Sequence, residues 1–224
     1  MTHSVCARAR GTVLSVRLGL LAVTVAGAGC REKPDPVVTD FSDSFDRADL
    51  GSDWRDSGGH YAIVNGELAA RNVRHHPLWL RKKLMPDVSL EFDVRTTSPE
   101  ADIRVVLFGD GKSANPEDSV GCLSTGYELV FGGGKNKRSE LCRGGEQGGG
   151  HRRVRTDWPV FPGMVYHFYI TRKGGLISWY IGGHDMMAWE DPTPLTGPGH
   201  EAFGFDGGES EVFFDNLVIA PYHP

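Results

Sequence analysis

From Phe41 to its end, the chain is dominated by short runs of alternating apolar and polar residues, each followed by Gly, Asp, Asn or Pro. A period of two places successive side chains on opposite faces of a strand, so that one face can enter a core. The sequence contains 30 Gly and 13 Pro and has no long run with the apolar period of a helix. These features predict an all-β fold, an antiparallel sandwich of two sheets.

Turn signals separate the strand-like runs. Asn65-Gly66 stands between two apolar runs, and this dipeptide favours the type I′ turn of a β-hairpin. Residues 126–143 and 164–183 each contain two strand-like runs about a Gly-rich turn. We therefore expect about ten to twelve strands and no long helix.

Residues 1–29 have the features of an export signal peptide. Basic residues precede an apolar run at 18–28, which is too short to span a bilayer comfortably, and small residues end it. The segment 30–40 is charged and contains prolines, which suits a short tether. Residues 41–224 have the length of one β-sandwich domain.

The cysteines support export. Gly-Ala-Gly-Cys, ending at Cys30, resembles the bacterial motif that is cleaved before a lipidated (palmitate-bearing) cysteine; cleavage after Ala28 is the alternative. Cys6 leaves with the signal, so lipidation of Cys30 leaves an even pair in an oxidising compartment. We predict a disulfide between Cys122 and Cys142, with two buried thiols as the alternative.

The charge of the chain argues against general binding to polyanions. The formal net charge is −5, and the first thirty residues contain arginines but no acid, so the remainder is more acidic still. An acidic protein gains little electrostatic attraction to nucleic acid or to anionic lipid. We predict no nucleic-acid partner, and membrane attachment only through the lipid.

Three stretches carry a resemblance to a known fold family. The opening segment 41–68 and the closing segments 191–205 and 210–219 resemble secreted bacterial domains with the concanavalin A-like lectin/glucanase fold, and 126–133 is similar to the central strand of its 3-keto-disaccharide hydrolase branch. The resemblance implies a jelly-roll sandwich whose last strand returns beside the first. It also implies that a sugar site would lie on a concave face or its loops.

Two catalytic patterns of this group are incomplete here. Laminarinase-type members carry three alternating acids on one strand, whereas Glu91 and Asp93 are followed by Arg95. We interpret Glu91 and Asp93 as the solvated outer face of a strand. In the 3-keto-disaccharide branch a Glu is followed two residues later by Gln, whereas Glu128 is followed by Val130. No catalytic residue is predicted.

A ligand site is nevertheless expected on the central strands. Arg104 interrupts an apolar run, and an unpaired arginine is costly inside a core. Because successive hairpin strands pair, Arg104, Tyr127, Glu128 and Arg143 are expected to line one polar patch that binds hydroxyl groups. The alternative is an ion-pair network that fixes strand register. Aromatic residues are further candidates for stacking on sugar: Trp79, Trp158, Trp179, Trp189, Tyr127 and Tyr180.

Metal and cofactor signals are weak. His75 and His76 are expected on opposite faces of a strand, and no zinc motif occurs, so no metal site is predicted. A structural calcium ion held by Asp206, Asp215 and Asn216 is possible, but no spacing requires it. No other cofactor is expected.

The functional prediction is a lipoprotein of the cell envelope whose β-sandwich binds carbohydrate or an envelope polymer without cleaving it. A structural or protein-interaction module is the first alternative, because this fold serves many functions. A glycoside hydrolase of the 3-keto-disaccharide type is the second.

Overall fold

The computed structural model describes residues 35–114, 122, 125–144 and 152–223. The expected signal peptide (1–29), Cys30 and the first part of the tether lie outside the described residues. Among the residues described, no helical segment has the length and apolar character needed to cross a bilayer.

Within these ranges the chain forms fifteen strands and one four-residue helical turn, Gly133–Asn136. This is more strands than expected, because short edge strands with weak alternation add to the strong ones. The strands are β1 (Phe41–Asp43), β2 (Trp54–Asp56), β3 (Tyr61–Val64), β4 (Glu67–Arg71), β5 (Leu78–Lys83), β6 (Val88–Thr96), β7 (Ile103–Gly109), β8 (Tyr127–Gly132), β9 (Arg138–Arg143), β10 (Arg152–Arg155), β11 (Tyr166–Lys173), β12 (Leu176–Ile181), β13 (His184–Glu190), β14 (Ala202–Gly207) and β15 (Glu211–Pro221).

The strands form two sheets, which confirms the predicted antiparallel sandwich. The eight-stranded sheet has the order β13-β12-β11-β6-β15-β4-β3, with β1 also paired to β15. The seven-stranded sheet has the order β10-β9-β8-β7-β14-β5-β2. Strand β15 pairs antiparallel with β1, so the last strand returns beside the first, as the resemblance implies.

The core lies between the sheets and is rich in aromatic rings. Along β6 the burial alternates strictly, with Phe92 in the core and the polar residues of the other face less buried: Ser89, Glu91, Asp93 and Arg95. Phe205 of the opposite sheet contacts Phe92 edge-on and packs against Phe214, with ring centroids 5.4 and 4.3 Å apart. Each such ring contributes about 1.5–3 kcal/mol through burial.

The two sheets differ in their outer faces. Alternate residues of β6 and β11 in the eight-stranded sheet remain accessible to water. In β7 and β8 of the seven-stranded sheet every residue is buried. In the same sheet, Trp79 of β5 and Val106 of β7 face away from the main core and pack against each other. Polar groups on this outward face therefore depend on partners within the protein.

The predicted disulfide is present in the structure. Cys122 and Cys142 are bonded, with their Cα atoms 6.4 Å apart and 20 residues between them in sequence. Cys142 lies on β9 and is buried, so the bond fastens the segment that follows β7 to the seven-stranded sheet.

Replacing both Cys122 and Cys142 with Ala should lower the free energy of unfolding by about 3 kcal/mol, because the open loop gains conformational entropy in the unfolded chain. Urea unfolding of the oxidised protein, the reduced protein and the double variant measures this. The reduced protein should resemble the double variant. Equal midpoints for the oxidised and reduced forms would contradict the prediction.

Candidate functional site

The four residues expected to form one polar patch lie in two separate groups. Tyr127 and Glu128 are consecutive on β8, and consecutive strand residues face opposite sides of a sheet. Tyr127 enters the core between the sheets, whereas Glu128 faces outward from the seven-stranded sheet. The expectation of a single patch is therefore wrong in its geometry, because it overlooked this alternation.

The first group contains Arg104 and Glu128. Nη1 of Arg104 donates to Oε1 of Glu128 at 3.0 Å, and its Nε donates to Oδ1 of Asp102 at 2.7 Å. Arg104 is 7% exposed and Glu128 is 0% exposed. Burial alone would lower the pKa of Arg104, but the charges of Glu128, Asp102 and Asp206 outweigh it and raise that pKa. The arrangement matches the ion-pair alternative; a role in ligand binding stays a prediction.

The second group joins Tyr127 and Arg143 to Asp191. The Tyr127 hydroxyl donates to Oδ2 of Asp191 at 2.7 Å and accepts the Leu195 amide at 2.8 Å. Nη1 of Arg143 donates to the same Oδ2 at 3.0 Å and to the Thr193 carbonyl at 3.0 Å. These bonds hold the segment that follows β13 against β8 and β9.

The pKa values of this group reflect the same contacts. Burial alone would raise the pKa of Asp191, but the hydrogen bonds from Tyr127 and the Thr193 amide and the charge of Arg143 lower it below the ordinary value. Burial and the bond to Asp191 raise the pKa of Tyr127 to about 12. Asp191 therefore acts as a buried anion that stabilises the fold.

The structure places the two histidines and the three calcium ligands considered from the sequence differently from what was expected. His75 and His76 lie in the turn between β4 and β5, not in a strand. Nδ1 of His75 lies 3.6 Å from Oδ2 of Asp206 and 3.9 Å from Oε1 of Glu128. Asp206 belongs to β14 of the seven-stranded sheet, whereas Asp215 belongs to β15 of the other sheet. The three calcium ligands considered from the sequence therefore do not converge.

The accessible face of the eight-stranded sheet carries a group that we call the platform: Glu91, Asp93, His167, Tyr169 and Tyr180. Tyr169 lies opposite Glu91 on one side and opposite Tyr180 on the other, and His167 lies opposite Asp93. The two tyrosine rings are 5.8 Å apart at their centroids and inclined by 33°. The side chains of Glu91 and His167 are 48% and 51% exposed. Glu91 and Asp93 thus lie on an outer strand face, as interpreted from the sequence.

Hydrogen bonds hold the polar part of the platform in place. Nδ1 of His167 lies 2.9 Å from Oδ1 of Asp93. The Asn216 amide donates to Oδ2 of Asp93 at 2.9 Å, from a bulge in β15. Arg95 turns away from these groups, pairs with Glu67 and stacks on Phe213. The neighbouring arginine is therefore not part of the platform.

Most of the other aromatic candidates are buried. Trp54, Trp79, Trp179 and Trp189 are all in buried positions, and Trp158 is half-buried. Trp179 and its neighbour Tyr180 face opposite ways, as expected for consecutive residues of a strand, and Tyr180 is the one outside the core. Stacking on a ligand is thus available to the platform tyrosines.

Sequence comparisons identify no relative: no protein-family model matches the chain, and no curated protein matches it. Solved structures are similar in fold. The carbohydrate-binding module CBM66 from Bacillus subtilis has a TM-score of 0.58 and 14% identity, over 77% of this chain and 98% of that one. A Bacillus subtilis protein of unknown function with a galectin-like fold has a TM-score of 0.61 and 15% identity, over 83% and 97%.

A β-1,3-1,4-glucanase (lichenase) from a mouse hindgut metagenome is similar as well. Its TM-score is 0.56 at 11% identity, over 83% of this chain and all of that one. Identities this low establish the fold alone. The chain therefore has a jelly-roll sandwich fold like that of these solved structures, as the resemblance implies.

Replacing Asp191 with Asn should lower the free energy of unfolding by about 3 kcal/mol at neutral pH, because the substitution removes a buried anion that pairs with half-buried Arg143 and accepts the Tyr127 hydroxyl. Since the pKa of Asp191 is lowered in the fold, its stabilisation is present above the unfolded carboxyl pKa of about 4 and is lost as the pH falls through the folded value.

Urea unfolding at neutral and strongly acidic pH measures this effect. The difference in the free energy of unfolding between wild type and Asp191→Asn should be smaller in acid. The matched control is Asp157→Asn, which changes an exposed carboxylate paired with Arg155 and should leave the midpoint unchanged. An equal difference in the free energy of unfolding at both pH values would contradict the role of Asp191 as a stabilising anion.

Proposed function

We propose that this chain is a carbohydrate-binding domain that is exported, anchored at the cell envelope and not catalytic. The observation that carries the proposal is the platform: a half-buried pair of tyrosine rings outside the core, Tyr169 and Tyr180, beside Glu91, Asp93 and His167 on an accessible sheet face. The likeness in fold to a carbohydrate-binding module and a glucanase supports the same class of ligand.

The platform has both parts that sugar binding requires. An apolar sugar face stacks on flat tyrosine rings, while carboxylate and imidazole groups bond to hydroxyls. Asp93 is held by His167 and Asn216, so less side-chain freedom is lost on binding. The platform crosses three neighbouring strands, β12, β11 and β6, which are spaced to give a width of about 10 Å. This width suits a stretch of polysaccharide chain.

The same geometry disfavours hydrolysis at the platform. A retaining glycosidase needs two carboxyls flanking the scissile bond, one of them with a pKa raised by an apolar pocket. Glu91 and Asp93 instead lie on an open strand face, with His167 against both of them. Binding without cleavage is therefore the function that this geometry supports best.

Anchoring rests on the sequence of the first forty residues. Export followed by lipidation of Cys30 would attach the domain to a membrane through the segment 30–40. A single acyl chain gives only weak, reversible attachment to a membrane, so stable anchoring normally requires a second signal. The acidic domain supplies no electrostatic attraction to anionic lipid. We therefore expect more than one acyl chain on the N-terminal cysteine.

Replacing Tyr169 and Tyr180 together with Ala should weaken polysaccharide binding at least about tenfold, which corresponds to about 1.4 kcal/mol of lost stacking. A glycan array identifies the ligand, and affinity electrophoresis in that polysaccharide measures the change. The matched control is Phe161→Ala, which removes an exposed ring outside the platform and should bind as wild type does. Wild-type binding by the double variant would refute the platform as the sugar site.

If Cys30 carries the lipid, Cys30→Ala should no longer incorporate a fatty-acid probe and should leave the membrane fraction. Metabolic labelling followed by detergent phase partitioning measures both properties. Cys6→Ala is the control, because Cys6 belongs to the segment expected to be removed, and it should label normally. Label retained by Cys30→Ala would contradict the anchoring proposal.

A further inference from the structure

A group of charged side chains is buried on the outward face of the seven-stranded sheet. This buried cluster consists of His75, Arg104, Glu128 and Asp206, with the half-buried Asp102 at its edge. Arg104 of β7 lies directly opposite Asp206 of β14, and Glu128 lies on β8, the next strand. The turn that carries His75 is fixed to the end of β14, because the His75 amide donates to the Gly207 carbonyl at 3.2 Å.

The charges of the buried cluster do not balance. Asp102, Glu128 and Asp206 are carboxylates, whereas Arg104 is the one permanent cation among these five side chains. With His75 neutral, the cluster has two negative charges in excess, and protonation of His75 corrects only one. Excess buried charge of this kind is costly unless a further cation neutralises it.

Asp206 shows where the charge is least compensated. Its side chain is 0% exposed, and neither carboxylate oxygen has a hydrogen-bond donor. Nδ1 of His75 lies 3.6 Å from Oδ2 of Asp206 and so is beyond a hydrogen bond. The nearby Tyr61 hydroxyl donates to the carbonyls of His76 and Phe205 instead. The described residues thus give this buried carboxylate no hydrogen-bond donor, and a bound ligand would supply its partner.

We propose that His75, Glu128 and Asp206 bind a divalent transition-metal ion. Each residue offers one donor atom, and the three atoms lie within 4.8 Å of one another. Donors that share an ion at about 2.0–2.2 Å lie up to about 4 Å apart, so a small closure completes the site. The ion cancels the two excess charges while His75 stays neutral, the form in which imidazole binds metal.

The donor set selects the class of ion. One imidazole nitrogen with two carboxylates suits Zn²⁺ or Mn²⁺, whereas Ca²⁺ prefers oxygen ligands alone. Arg104 then orients Glu128 through the bond between Nη1 and Oε1, as second-sphere groups commonly do for metal-binding carboxylates. The sequence predicted no metal site, because His75 and His76 were expected on opposite faces of a strand and no zinc motif occurs; the carboxylate partners of His75 are distant along the chain.

The proposed ion has a role separate from sugar binding, since the platform lies on the other sheet. The turn with His75 connects β4 of the eight-stranded sheet to β5 of the seven-stranded one. Asn72, Arg74 and His75 in this turn all have positive φ, at 49°, 47° and 60°. Non-glycine residues adopt such φ values only when other interactions hold them. The bonds from this turn to Gly207 and Gly208 already supply part of that interaction, and a bond from His75 to the ion would add to it.

The test is metal binding by the purified protein, first stripped with a chelator and kept free of reductant to preserve the disulfide. Calorimetry and thermal unfolding follow the addition of Zn²⁺, Mn²⁺ or Ca²⁺. Zn²⁺ or Mn²⁺ should bind in a one-to-one ratio and raise the unfolding temperature, and Ca²⁺ should act more weakly. Failure of both transition ions to bind at millimolar concentration would overturn the proposal.

Asp206→Asn should weaken the binding of the ion at least tenfold. Its metal-free form should unfold no lower than the metal-free wild type, because the substitution removes one excess charge. His75→Gln serves as a second variant in case Asp206→Asn does not fold. The control, His167→Gln, removes the exposed histidine of the platform and should retain the ion. Retention by Asp206→Asn and His75→Gln, or loss only in His167→Gln, would overturn the assignment.

Discussion

Burial of both faces of β7 and β8, the central strands of the seven-stranded sheet, is the constraint on which the rest of the structure depends. No residue of β7 or β8 is exposed, although these strands contain Arg104 and Glu128. A charged group without water must find its partner inside the protein. The outward face of this sheet is therefore organised by ion pairs, close packing of Trp79 on Val106, and a disulfide.

The eight-stranded sheet differs, because part of its outer face is accessible to water. One face of β6 and β11 enters the core and the other meets water, so these strands can carry polar and aromatic groups at little cost. The pairing register then sets which groups meet: Glu91, Tyr169 and Tyr180 form a row across three strands. The platform and the buried ion pair of Arg104 with Glu128 thus lie on different sheets.

Features set by local pattern were predictable from the sequence, and features set by distant contacts were not. Strict alternation in 88–94 correctly placed Glu91 and Asp93 outside the core. The same alternation predicts that Tyr127 and Glu128 face opposite sides of their sheet. The expectation of a single polar patch did not take this alternation into account. By contrast, the partner of Arg143 is Asp191, 48 residues away, and no periodicity connects two such residues.

The turn at His75 shows why the buried cluster escaped prediction. Its run of positive φ values is not encoded by glycine, which is the usual sequence signal for such a backbone. The turn is held instead by its bonds to Gly207 and Gly208 at the end of β14. Cys142 lies opposite Glu128 in the pairing of β8 with β9, so the disulfide and the cluster lie side by side. The outward face of the seven-stranded sheet is therefore stabilised by contacts between distant segments, which only the folded chain brings together.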